Sequence, residues 1–142
     1  MDDLTRRLRS YVYLGIQGFD SHAQVTRHLG LEPTTAWDAG DPWLRPDSIP
    51  WKRDAGCWSL GEREFSSIDE NEQLDALIDR LVPYRHLLQS TPLAWTKALV
   101  MVHETDSCNA DMLLTAAQVS FAASIGAAFR LDIYSLPVES PT

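Results

Sequence analysis

The sequence predicts an α+β domain: a mainly antiparallel sheet with helices packed on one face. Three observations carry that expectation. Short runs of alternating apolar residues recur along the chain. Between them lie helical stretches opened by capping boxes. A length of 142 residues with 44% hydrophobic content suffices for one core, so residues 1–142 are expected to form a single domain.

Residues 8–16 alternate and are rich in Tyr, Val and Leu, which makes a first strand. Ser21 and Gln24 form a capping box, and the helix they open runs through Leu29. Gly30 supplies a left-handed stop and Pro33 bars continuation. Residues 34–56 read as a long irregular loop holding Trp37, Trp43 and Trp51, followed by a second strand at 56–60. Ser67 and Glu70 form another capping box, after which Leu74, Leu77, Ile78 and Leu81 recur at helical spacing. Pro83 ends or kinks this helix, with a further turn through Leu87 and Leu88.

Residues 96–103 give the clearest strand, apolar on both faces in its middle and hence central. Turn-forming residues at 104–109 and a short strand at 110–114 then predict a hairpin. Thr115 and Gln118 make a third capping box, stapled by Leu114 and Val119. Its helix is apolar nearly all round, which predicts deep burial up to Gly126. In 128–134, Phe129, Leu131 and Ile133 point inward against Arg130 and Asp132. Residues 137–142 are expected to fray. The last six elements spell βαββαβ, a ferredoxin-like core preceded by an extra β-α unit. The paired boxes at Ser21 and Thr115 echo one another, as a doubled unit would.

The net charge is −8 and unevenly placed. Residues 1–53 balance seven acids with seven bases, whereas residues 54–142 hold thirteen acids and five bases. The densest acidic patch includes Glu62, Glu64, Glu70, Glu72, Asp75 and Asp79. Such a surface repels nucleic acid and anionic membranes and attracts a basic protein. No apolar run reaches membrane-spanning length, and the cytoplasm is the expected location. Cys57 and Cys108 are far apart and in no redox or metal motif, which fits free thiols in a reducing compartment.

Catalytic signals are weak. His103, Glu104 and Asp106 offer imidazole and carboxylates at a strand end, but a metal asks for three or four converging ligands and His22, His28 and His86 lie elsewhere. A polar hairpin rim is the expected role. Acidic neighbours disfavour Cys108 as a nucleophile, and Cys57 reads as a small core residue. No serine elbow or phosphate loop is present, and no motif asks for a metal or cofactor.

The run from Leu29 to Pro33, then Trp37, Gly40 and Asp41, then Gly56, Cys57, Trp58, Ser59 and Leu60, resembles the DUF4279 family of small bacterial proteins. The helix around Leu74 and Leu81 and the closing segment from Ile125 to Tyr134 match its pattern too. The long Trp-rich insert at residues 41–53 departs from it. The resemblance implies a compact α+β domain of unknown function and supplies no catalytic residue.

The tryptophan loop is therefore the leading binding element. Trp37, Trp43 and Trp51 stand with Asp41, Arg45 and Arg53 among prolines, and Trp and Arg are the usual anchors of interfaces. Trp37 and Trp58 are expected to plug the core, with Asp41 capping a turn. Together with Glu70, Glu72 and Asp75 on the acidic helix, the loop predicts a non-enzymatic binding protein for a basic protein partner. An immunity-type protein that neutralises a toxin by contact is one form of it. The alternative is a small-molecule binder or enzyme with a pocket between loop and sheet; self-association into a homodimer through the loop is a third expectation.

Overall fold

The computed structural model describes residues 8–44, 50–106 and 112–135. Its main sheet has five strands: β1 (Leu8–Gln17), β2 (Thr35–Trp37), β5 (Cys57–Gly61), β6 (Thr96–Thr105) and β7 (Ala127–Ser135). Their spatial order is β2-β5-β1-β6-β7. All neighbours are antiparallel except β6 and β7, which run parallel. A second, two-stranded ribbon pairs β3 (Pro42–Leu44) with β4 (Pro50–Lys52).

The helices are α1 (His22–Leu29), α2 (Glu70–Leu81), the short α3 (Arg85–Gln89) and α4 (Ala116–Ser124). They cover one face of the sheet, as expected. Val12, Leu14 and Ile16 of β1 and Leu99 and Met101 of β6 meet Val25 and Leu29 of α1, Leu74, Leu77 and Leu81 of α2 and Phe121 and Ala122 of α4. Trp58 lies wholly buried among them and donates from Nε1 to Thr26 Oγ1 at 3.1 Å. On the opposite face a smaller cluster forms from Tyr13, Val100 and Val102, flanked by Tyr11 and Phe65. Arg63 lies there too, 4.0 Å from the Tyr13 ring.

The capping boxes at Ser21 and Thr115 both form. The one expected at Ser67 does not. Asp69 caps α2 instead, its Oδ2 accepting from the backbone N–H groups of Asn71 and Glu72. Glu70 is consequently the first helical residue and cannot reach back to a cap.

Three other expectations change. The hairpin expected after β6 falls largely on residues 107–111, which with Cys108 lie outside the described part; Met112–Leu114 carries no strand pairing, and α4 returns the chain to pair β7 parallel with β6. Among the described residues the expected fourth strand of the ferredoxin-like order has no pairing. The unit around α1 also joins parallel strands, since β1 and β2 both run antiparallel to β5, but it leaves β5 between them, whereas α4 joins neighbouring strands. α4 is not deeply buried all round. Gln118, Phe121 and Ala122 are buried, while Val119 is 47% exposed, because a single helical layer leaves nothing to cover its outer side. Leu131 and Ile133 share the helix-facing side with Met101 and His103, yet stay exposed, because β7 is the sheet edge.

Candidate functional site

The tryptophan segment is built rather than irregular. Trp37 ends β2, opposite Cys57, and its Nε1 donates to the Ala55 carbonyl at 3.0 Å. Asp38 Oδ1 accepts from His22 N–H at 2.7 Å, tying the segment to the start of α1. Asp41 does act as a turn residue: its Oδ2 accepts from Asp38 N–H at 2.8 Å. Gly40 N–H donates to the Arg53 carbonyl, and Arg53 N–H to the Asp41 carbonyl, which closes the root of the ribbon. A Cβ at Gly56 would lie 2.7 Å from the Phe19 ring and 3.2 Å from the Trp37 carbonyl oxygen, so glycine lets the chain pass here without displacing Phe19.

Above this root, Trp43 and Trp51 face each other across β3 and β4. They are 40% and 46% exposed. The Arg53 guanidinium stacks 3.9 Å from the Trp37 ring and 4.4 Å from the Trp43 ring. Planar stacking of this kind holds both partners in place at a cost in freedom already met in the unbound protein. Trp58 joins the core as expected. Trp37 does not; it is half-buried on the sheet edge beneath Arg53. Arg45 lies outside the described residues.

The acidic helix divides. Glu72 is exposed, and Asp75 is exposed but accepts from Gln118 Nε2 at 3.0 Å. Glu70 is not part of that surface. It is only 8% exposed, turned inward towards His103, which is 1% exposed. His103 is likewise no hairpin rim: β6 continues to Thr105, which places His103 inside the sheet opposite Ser10. Glu104 points to the other face and pairs with Arg9.

His103 Nε2 contacts Glu70 Oε2. Neither atom, nor His103 Nδ1, has a hydrogen bond of acceptable direction. Burial pushes Glu70 up to about 7, helped by the Asp69 carboxylate, and pushes His103 down. His103 is thus held neutral at pH 7, while Glu70 titrates about that pH. They border a cavity of about 280 Å³ with Ser10, Asp69, Ile68 and Leu113. Gln73 Nε2 donates to Ser10 Oγ at 2.9 Å, and Asn71 spans the gap between α2 and α4, donating to the Leu113 carbonyl and accepting from Gln118.

Two further cavities are lined by described residues. One runs along α2 beside Val12 and Gly61, and the other lies around Trp95 and Lys97. None of the three borders Trp37, Trp43 or Trp51. Among the described residues no group of three or more His, Cys, Asp or Glu is placed to hold a metal ion, and no helix is long and apolar enough to cross a membrane.

Residues 7–136 match the family described as Domain of unknown function (DUF4279). The chain belongs to that family. The DUF4279 match begins before β1 and ends after β7, so both the ribbon and the His103 cavity lie within it. No curated protein and no solved structure matches the chain.

Proposed function

We propose that this DUF4279 protein is a non-enzymatic binding protein that engages a protein partner through the β3–β4 ribbon. The observation that carries the reading is the cross-strand pair of Trp43 and Trp51, held outside the main sheet with more than a third of each side chain exposed. An indole in water is unfavourable, and burying one against a partner releases about 25 cal/mol per Å² of apolar surface. The rooted turn and the Arg53 stack keep that surface ordered before binding, which lowers the entropy lost on association.

The net charge of −8 favours a basic partner by steering its approach. An immunity-type role, in which the protein neutralises a toxin by covering it, is one form of this reading. The same charge opposes nucleic acid and anionic membranes as partners.

The test is affinity capture from the native source with the parent protein, a Trp43→Ala/Trp51→Ala variant and a Glu72→Lys/Asp75→Lys variant. One protein recovered stoichiometrically by the parent and lost with the indole variant supports the ribbon. Equal recovery by that variant removes the ribbon from the interface. Retention by the charge-reversed variant would remove the acidic helix.

A further inference from the structure

We propose that β7 pairs antiparallel with β7 of a second copy of this chain, about a two-fold axis through Leu131, so that two five-stranded sheets join into one. β7 is the longer edge of the main sheet. Its residues Ala127–Ser135 are bonded to β6 on one side and to no described strand on the other. The pairing with β6 runs unbroken from Ala127 to Ser135, so no bulge twists the edge away, and the strand holds neither proline nor lysine. Bulges, prolines, lysines and shortness are the usual means of protecting an edge. The opposite edge has one of them, since β2 is only three residues long. β7 has none.

The sequence of β7 is complementary to itself, and this selects a second copy as the occupant. In an antiparallel pair centred on Leu131, each residue meets the one equally far beyond the centre. Phe129 then lies opposite Ile133 of the second copy, Leu131 opposite Leu131, and Arg130 opposite Asp132. Ala127 meets Ser135 and Ala128 meets Tyr134, so the whole strand takes part. Arg130 and Asp132 are the only charges on β7 and share the face of Val100 and Val102, away from the helices. Sliding the pair by two residues sets Arg130 against Arg130 or Asp132 against Asp132. Sliding it by one sets charged residues against apolar ones.

In the single chain Arg130 and Asp132 pair with each other at 3.3 Å, on an exposed surface. About the two-fold axis the same groups form two ion pairs between the copies. On the helix-facing side Leu131 and Ile133, 42% and 49% exposed, are covered by their counterparts. The axis stands perpendicular to the sheet, so the helices of both copies lie on one side of the joined sheet. The β3–β4 ribbon is rooted next to β2, at the far edge. The dimer therefore leaves both ribbons uncovered and presents two of them, one at each end.

The experiment is sedimentation velocity of the full chain over a range of concentrations. The parent is expected to sediment as a dimer whose share rises with concentration. Arg130→Asp and Asp132→Arg each set like charges opposite one another twice across the axis, and each is expected to weaken dimerisation at least about tenfold. Both are expected to keep the parent's circular dichroism, since neither side chain belongs to a core cluster. Mixed in equal amounts, the two variants are expected to dimerise as tightly as the parent, because every carboxylate of one then meets a guanidinium of the other. Neither variant retains an ion pair within its own strand, so recovery on mixing reports contact between copies. A monomeric parent, unchanged dimerisation of either single variant, or folded variants that do not recover on mixing would each overturn the proposal. Trp43→Ala/Trp51→Ala is expected to remain a dimer; its loss of the dimer would move the contact to the ribbon and overturn the proposal as well.

Discussion

The β3–β4 ribbon and the His103 cavity break opposite rules of folded proteins. In the ribbon the backbone is paired and Arg53 lies against two indoles, but the Trp43 and Trp51 rings remain 40% and 46% exposed. At the start of α2 a carboxyl and an imidazole meet inside the protein, Glu70 Oε2 against His103 Nε2, both taken out of water. A fold optimised for stability alone would do neither. The contrast separates a presented apolar face, of the kind a macromolecular surface covers, from an internal polar pair whose effect is on stability and its pH dependence.

The largest effect separates core indole from ribbon indole. Trp58→Ala is expected to cost about 3–5 kcal/mol in urea unfolding, because a fully buried ring and its bond to Thr26 are lost. Trp43→Ala, on an exposed ring, is expected to cost no more than about 1 kcal/mol. Similar losses would mean that the ribbon belongs to the cooperative core and is not a presented surface.

The next effect belongs to the cavity. Glu70 has its folded pKa raised from 4.5 to about 7, so its contribution is fully present below pH 4.5 and is lost as pH rises through 7. His103 is lowered, so its contribution is fully present above its ordinary 6.5 and is lost as pH falls below it. Glu70→Gln removes the first limb only. The variant is expected to be more stable than the parent at pH 8, on the order of 2–3 kcal/mol, with the gain vanishing near pH 4.5. Urea midpoints at pH 4.5 and 8 measure it. A variant less stable than the parent at pH 8 would show that Glu70 is held as a paired anion.

Much of this was legible in the chain. Strand alternation located β1, β5, β6 and β7, and two capping boxes located α1 and α4, because each signal is local. The ribbon was not legible: three-residue strands that begin at Pro42 and Pro50 are too short to display a period. The parallel return through α4 depends on long-range pairing that no local pattern encodes. The cavity left a signal that charge obscured. Glu70 falls on the same helical stripe as Leu74, Leu77 and Leu81, and His103 falls on the same strand face as Leu99 and Met101. Two polar residues at core-facing positions of neighbouring elements mark a buried pair. Reading Glu70 with the acids around it hid that.

The start of α2 sharpens the comparison, because the same turn presents Asp69 to the cavity and directs Glu70 inward. Asp69→Ala removes the acceptor of two backbone N–H groups and is expected to cost about 1 kcal/mol. Ser67→Ala is expected to cost less than about 0.5 kcal/mol, since Ser67 caps nothing in this helix. Thermal unfolding of the two variants side by side decides between these caps, and a larger loss for Ser67→Ala would restore the capping box.

The smallest effect tests whether the ribbon's order comes from Arg53. Its guanidinium lies between two indoles, and a half-exposed cation–π contact is worth about 0.5–1 kcal/mol. Arg53→Met keeps a flexible stem of similar reach and removes the charge and the plane. Its backbone bonds to Gly40 and Asp41 do not depend on the side chain, so the root of the ribbon stays closed. Global stability is therefore expected to fall by less than about 1 kcal/mol, while acrylamide quenching of tryptophan fluorescence rises as Trp43 loses its stacking partner. Unchanged quenching would mean that the paired strands alone hold Trp43 in place. The preorganised surface would then reside in the backbone of the ribbon, with Arg53 left to contribute charge.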